Sequence, residues 1–191
     1  MRVLALVGSP RREGNTAVLV KKVLEGIESK NKDAETELLF LNEMKINPCQ
    51  SCYSCLTAPE CVQDDDMKLI YKALAKANVL VVGTPIYMDY VTAQTKLFID
   101  RLFPYTKESL PPLHPGMKIV LVFTWGWDKK DAYDYVIKGT KELLSRRDMK
   151  VVAVVKGVGF RYRKTEALEH PELLKEAFET GAKLGKERIG R

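Results

Sequence analysis

Residues 3–16 read VLALVGSPRREGNT: an apolar run from Val3 to Val7, a break at Gly8-Ser9-Pro10, and a polar turn that delivers the chain into a helical pattern from Thr16 to Ile27. A continuous apolar run of five residues has no polar side to offer water, so it reads as a strand buried on both faces, as strands of parallel sheets are. The pattern recurs. Thr36–Leu41, Val79–Val82, Lys118–Phe123 and Lys150–Val155 read as further strands. Helical stretches follow over Met67–Lys76, Ala93–Leu102, Ala132–Leu144 and Pro171–Lys186, the first of them preceded by Asp64-Asp65-Asp66 as capping side chains. Strands alternating with helices imply a parallel sheet covered on both faces. No linker or internal repeat breaks the chain, and residues 1–191 are read as one domain large enough for a sizeable core.

Hydrophobic residues make up 46% and charged residues 29%, the balance of an ordinary soluble globular protein. The formal net charge is +6, yet lysines and arginines alternate with glutamates, as in Lys141-Glu142 and Lys186-Glu187-Arg188, and no aromatic-interleaved basic stripe occurs. The expected partners are therefore anionic small molecules and not nucleic acid. The opening MRVLALVGSP holds no apolar stretch long enough for a signal peptide or a membrane span. A cytoplasmic protein with no membrane partner and with reduced thiols is expected.

In an open sheet of this kind the ligand sits beyond the carboxyl ends of the strands, where the strand order reverses. Three loops then matter: Gly8–Thr16, Thr84–Val91 and Thr124–Asp128. The first offers hydroxyls from Ser9 and Thr16, the amide of Asn15, a cation from Arg11 or Arg12, and glycines at 8 and 14 that allow backbone N–H groups to face an anion at a helix N-terminus. It lacks both the Gly-Lys-Ser/Thr ending of a nucleotide-hydrolysing loop and the GxGxxG dinucleotide spacing. Its position after the first strand makes a phosphate cradle the first reading, a polar turn that caps a helix the second. The second loop, TPIYMDYV, brings Tyr87 and Tyr90, and the third, TWGWD, brings Trp125 and Trp127 to the same edge, where a flat heteroaromatic ring fits; each aromatic reads equally as a partly buried rim residue or an interface contact.

All four cysteines fall within thirteen residues, in the spacing C-x2-C-x2-C-x5-C formed by Cys49, Cys52, Cys55 and Cys61. Three at intervals of three match the cluster loop of bacterial ferredoxins, and Cys61 follows at once to complete a site. An iron–sulfur cluster is the first reading of this loop, structural zinc the second and an unmetallated redox-active thiol group the third.

GSPRREGNT, the TPIY loop followed by Ala93, Lys96, Asp100 and Arg101 in the pattern TPIY…A-x2-K-x3-D-R, and the cysteine run ahead of Asp65-Asp66-Met67 together resemble the iron–sulfur flavoproteins, a branch of the NAD(P)H-dependent FMN reductases. The resemblance runs from Met1 to about Val155. It implies a flavodoxin-like, doubly wound, five-stranded parallel sheet of order 2-1-3-4-5, with the cysteine-rich loop, residues 48–62, after the second strand. It also implies FMN, with its phosphate on Ser9, Arg11, Asn15 and Thr16 and its ring against Pro85, Ile86, Tyr87 and Met88, joined by Trp125 and Gly126 of the third loop. Cys49, Cys52, Cys55 and Cys61 would hold a 4Fe-4S cluster, in a homodimer or homotetramer where cluster and flavin of neighbouring subunits exchange electrons. The expected function is that of an electron-transfer flavoprotein, an oxidoreductase fed by NAD(P)H or a ferredoxin-like donor. Two other readings stay open: an NAD(P)H-dependent FMN or quinone reductase whose cysteines hold zinc or nothing, and a flavin-binding redox sensor without turnover. No acid–base residue is needed, and His114 and His170 are read as a loop residue and a helix-entry residue.

Overall fold

Two interleaved sets of apolar side chains on the central strands dictate the layers. The computed structural model describes residues 1–58, 61–106, 116–145, 149–161, 163 and 165–187. Its strands are β1 (Arg2–Val7), β2 (Glu35–Phe40), β3 (Val79–Tyr87), β4 (Tyr90–Val91), β5 (Lys118–Thr124) and β6 (Lys150–Gly157). Its α-helices are α1 (Asn15–Lys30), α2 (Met67–Leu74), α3 (Ala93–Asp100), α4 (Asp134–Leu144) and α5 (Pro171–Gly185). Val3, Ala5, Val79, Val81, Val120 and Val122 face one way and pack with α1 and α5. Leu4, Leu6, Leu80, Val82, Ile119 and Leu121 face the other way and pack with α2, α3 and α4. Successive residues of a strand point to opposite faces, so a run apolar throughout demands cover on both.

The five parallel strands lie in the order β2-β1-β3-β5-β6, which is the expected 2-1-3-4-5 once the additional β4 is left out of the count. The chain leaves β1 toward β2 and later returns to β3 on the other side of β1, so the order reverses between β1 and β3. Beyond Val7 and Gly83, which pair in register, lies the crevice where ligands of such sheets bind.

β3 runs on to Tyr87, past the Gly83-Thr84-Pro85 that reads as its end in the sequence. There Thr84 pairs with Phe123 and Pro85 with Thr124, so tertiary pairing overrides the local breaker signal. Antiparallel pairing of Ile86 with Val91 and Tyr87 with Tyr90 then makes a tight hairpin, and the second loop is more ordered than expected. α1 begins one residue earlier than read, at Asn15, and continues to Lys30. His170 directly precedes α5, and its carbonyl accepts the N–H groups of Leu173 and Leu174; His114 lies outside the described residues. No helix among the described residues is long and apolar enough to cross a membrane.

α1 and α5 cross at close range because glycines stand at the contact. A Cβ placed on Gly181 would come within 1.9 Å of the Val23 carbonyl oxygen. Gly181→Ala should therefore destabilise the protein: the helix-propensity gain of up to about 1 kcal/mol is outweighed by about 1–3 kcal/mol of overpacking against rigid backbone. Urea denaturation checks the sign, a lower midpoint being expected.

Candidate functional site

The loop after β1 forms a pocket at the switch point. Its entry is fixed by backbone and threonines: Gly8 N–H donates to the Gly83 carbonyl at 2.8 Å, and the Gly8 carbonyl accepts from the Thr92 hydroxyl at 2.8 Å. Thr92 is within 2.9 Å of the Thr95 hydroxyl, and a Cβ on residue 8 would lie only 1.8 Å from that oxygen, so glycine is required there. The loop then turns, with Arg11 N–H donating to Ser9 Oγ at 3.2 Å and Gly14 N–H to the Arg11 carbonyl at 3.1 Å.

Gly14 precedes α1 as its N-cap residue and offers no side-chain cap, and the first turn of the helix holds no acidic residue. By contrast, Thr92 caps α3 by accepting from Thr95 N–H. The first N–H groups of an α-helix lack intrahelical partners and carry partial positive charge, and an uncapped N-terminus at a pocket can take an anion. That pocket, about 310 Å³, is lined by Ser9, Arg11, Gly14, Asn15, Thr16, Pro85, Ile86, Tyr87, Thr124, Trp125, Gly126, Phe160 and Arg161. Nine of the ten residues expected at a flavin thus share one cavity. Met88 is not among them: it sits at the hairpin tip with φ +45° and is 97% exposed.

Individual side chains divide the work differently from the reading of the sequence. Arg12 is drawn away, paired with Glu43 at 2.9 Å and lying over the Phe40 ring, which leaves Arg11 as the loop's cation at the cavity. Asn15 is engaged at both ends, donating to the Arg163 carbonyl at 3.2 Å and accepting from Ala167 N–H at 2.9 Å. Thr16 and Thr124 share a buried hydroxyl–hydroxyl bond of 2.6 Å. Trp125 is buried, donating from Nε1 to the Lys129 carbonyl and standing edge-on to Tyr133, whereas Trp127 is exposed and off the cavity. The segment after β6 forms a wall the sequence did not reveal: Phe160 N–H donates to the Trp125 carbonyl, and Arg161 bonds the Gly126 carbonyl and Asp128. No motif spacing marks these residues.

A second cavity of about 280 Å³ opens at the cysteine loop and is lined by Cys49, Cys52, Cys55 and Cys61 together with Tyr53, Tyr71, Arg101 and Phe103. Between the first three cysteines the backbone is left-handed at Ser51 (φ +52°) and Tyr53 (φ +58°), each an uncommon conformation for a residue with a side chain. Hydrogen bonds from Ser54 hold the Cys52 thiol below its usual pKa, while burial pushes that of Cys55 up. Among the described residues no three His, Cys, Asp or Glu side chains converge closely enough for a single metal ion; the thiols surround a space.

The loop is clamped from below by the aspartates that read as helix caps. Only Asp65 serves that purpose, accepting from Met67 N–H at 3.1 Å, while Asp66 accepts from Lys45 N–H at 2.7 Å and Asp64 pairs with Lys68. Asp65 also accepts from Asn47 N–H and receives Arg101 on both carboxylate oxygens, at 2.6 and 3.2 Å. Burial alone would raise the Asp65 pKa, but the guanidinium and the two N–H groups reverse this and hold it low. Arg101, 1% exposed, further donates to the Asn47 carbonyl at 2.9 Å and to Cys61 Sγ at 3.4 Å. Tyr71 donates to the Arg101 carbonyl, and its own pKa is pushed up to about 12, chiefly by burial. The pattern D-R after TPIY contained Arg101, but nothing in the sequence placed it under the cysteines.

A doubly wound sheet with a cavity and an uncapped helix N-terminus at its order reversal is an architecture that nucleotide- and flavin-binding proteins use. Residues 1–130 match the NADPH-dependent FMN reductase family, and the chain belongs to that family. It is 37% identical over 105 residues to an iron–sulfur flavoprotein of Archaeoglobus fulgidus, covering 55% of this chain and 47% of that one. Against an iron–sulfur flavoprotein of Methanosarcina thermophila it is 34% identical over 101 residues, 53% and 52% of the two chains. The motif resemblance to the iron–sulfur branch is thus matched by relatives bearing that name, and the chain spans about half the length of the curated relatives it matches. Among solved structures, an FMN-dependent NADH-azoreductase from Bacillus anthracis in complex with FMN is similar with a TM-score of 0.72 at 18% identity, covering 97% and 100% of the two chains. NAD(P)H:quinone oxidoreductase from Methanothermobacter marburgensis gives 0.69 at 17%, covering 99% of each. These two likenesses establish the flavodoxin-like fold.

Removing one partner of a buried pair leaves an uncompensated charge, so Asp65→Ala should cost about 3–5 kcal/mol of stability. Replacing both, as Asp65→Leu with Arg101→Met, should recover much of that loss. Denaturant titration of the single and double variants checks it, a double variant no more stable than Asp65→Ala being the contrary result.

Proposed function

We propose that this protein is an FMN-dependent oxidoreductase that transfers electrons between flavin in the β1 cradle and a four-iron, four-sulfur cluster in the cysteine loop. The observation that carries this reading is the presence of two separate cavities, one at the ends of β1, β3 and β5 opening on an uncapped helix N-terminus, the other lined by every cysteine in the chain. The family description and the names of the Archaeoglobus and Methanosarcina relatives support both cofactors. Bound flavin supplies two-electron chemistry and the cluster one-electron chemistry.

The chain's own residues fit these roles. Ser9, Arg11 and the first N–H groups of α1 take the phosphate, Pro85, Ile86, Tyr87, Trp125 and Gly126 border the ring, and Asn15 pins the wall that closes the pocket. Four cysteines lining one cavity in the C-x2-C-x2-C-x5-C spacing, together with the names of the relatives, favour the cluster over zinc. The donor is NAD(P)H, as the family description suggests, or a ferredoxin-like protein. The assembly is a homodimer or homotetramer in which the exposed Met88, Tyr90, Trp127 and Tyr53 supply contacts and the cluster of one subunit serves the flavin of its neighbour.

Cys61→Ala, purified anaerobically, should lose iron and sulfide while keeping FMN, because the cradle shares no residue with the cysteine cavity. Metal, sulfide and flavin analysis of variant and parent decides it: stoichiometric zinc in the iron-replete parent would defeat the cluster, and rapid NAD(P)H turnover without iron would favour the plain reductase.

Ser9→Ala with Arg11→Ala should weaken FMN far more than riboflavin, since only FMN presents the anion. Each hydrogen bond lost to a charged group is worth about 1.5–3 kcal/mol, roughly 10- to 150-fold in affinity. Flavin fluorescence titrations would return equal losses for both ligands if the loop held no phosphate.

A further inference from the structure

Arg101 stands beneath the cysteines with more donors than the protein uses. A guanidinium carries five N–H groups. Two serve Asp65, one the Asn47 carbonyl and one the Cys61 sulfur, while the buried Nε–H has no partner among the described residues. Arg101 lines the cysteine cavity and Asp65 does not, so the positive end of the pair is the end presented to the thiols. Asp100, the other charged residue lining that cavity, is occupied by Lys96 at 2.6 Å.

We propose that Arg101 is a positioning residue that tunes the redox centre: it donates a charge-assisted hydrogen bond to the Cys61 thiolate and raises the reduction potential of the group the four cysteines hold. The inference rests on the cluster reading above. Hydrogen bonds to cluster sulfurs and nearby charge are among the levers that set such potentials, because reduction adds negative charge that a donor and a cation both stabilise. The bidentate Asp65 contact fixes the fork, so the donor is in place before any electron arrives.

Two variants isolate the effect. Arg101→Lys keeps the charge without the fork, and Arg101→Gln with Asp65→Asn removes donor charge and counter-charge together. With iron and sulfide content equal to the parent, an EPR-monitored redox titration should show the double variant harder to reduce by at least tenfold in the equilibrium, about 59 mV for one electron, with Arg101→Lys between it and the parent. Unchanged midpoints in both variants overturn the assignment. Should either variant fail to retain its cluster, parent protein carrying 15N-guanidino arginine gives the same answer: pulsed EPR of the reduced centre should detect a 15N coupling, and its absence overturns the proposal. A parent that binds zinc alone or no metal refutes the cluster reading itself, an outcome distinct from unchanged midpoints.

Discussion

The buried pair between Asp65 and Arg101 is the contact on which the irregular half of this protein depends. Ion pairs removed from water are costly unless the surrounding hydrogen bonds are complete, and here they nearly are. The carboxylate takes both prongs of the guanidinium and two backbone N–H groups, while the guanidinium also serves the Asn47 carbonyl and the Cys61 sulfur. One pair thereby ties the end of α3, the start of α2 and both flanks of the cysteine loop. One buried donor of the pair, Arg101 Nε, has no partner among the described residues, at a cost of about 1–3 kcal/mol.

The cradle is built by the opposite means. Its frame is regular sheet: β1, β3 and β5 end side by side, Gly8 lets the backbone approach Thr92 and Thr95, and α1 starts without a cap. Rigid elements set the direction of the first N–H groups of α1, which no side chain caps, where the strand order reverses. The hairpin tip is then fixed from outside, Tyr133 and Tyr135 donating to Asp89 at 2.9 and 2.8 Å. This holds Met88 and Asp89 in left-handed backbone that neither would choose alone.

Strand order, layer assignment and the loop that lines the cavity at the order reversal were legible because each has a local signature: an all-apolar run, a glycine-bounded turn, a helix that follows at once. What escaped the sequence is what depends on distant partners. Gly83 and Pro85 signal a break, but pairing with β5 carries β3 through them. Asn15 looks like a phosphate ligand by position, yet its amide is claimed by residues about 150 positions away. Asp64-Asp65-Asp66 reads as a capping run, and only the folded chain shows two of the three gripping backbone twenty residues upstream. Arg101 is one basic residue among 31, distinguished by burial alone.

These two constructions imply different dependencies on the groups proposed for them. A small metal-nucleated domain folds when its ligands are gathered, because nothing else orders the loop. In this chain the cysteine loop is attached at Lys45 and Asn47 on one flank and at Cys61 and Asp65 on the other by bonds that need no metal. Strain at Ser51 and Tyr53 is confined between those anchors, where Tyr53 leans edge-on against Phe103. The entropy of closing the loop is thus met largely by the Asp65–Arg101 base, and in the proposed function the thiols that line the cavity would need little further ordering to hold a cluster. Such preorganisation suits a redox centre, since a ligand set that moves little between oxidation states adds little reorganisation to the passage of an electron.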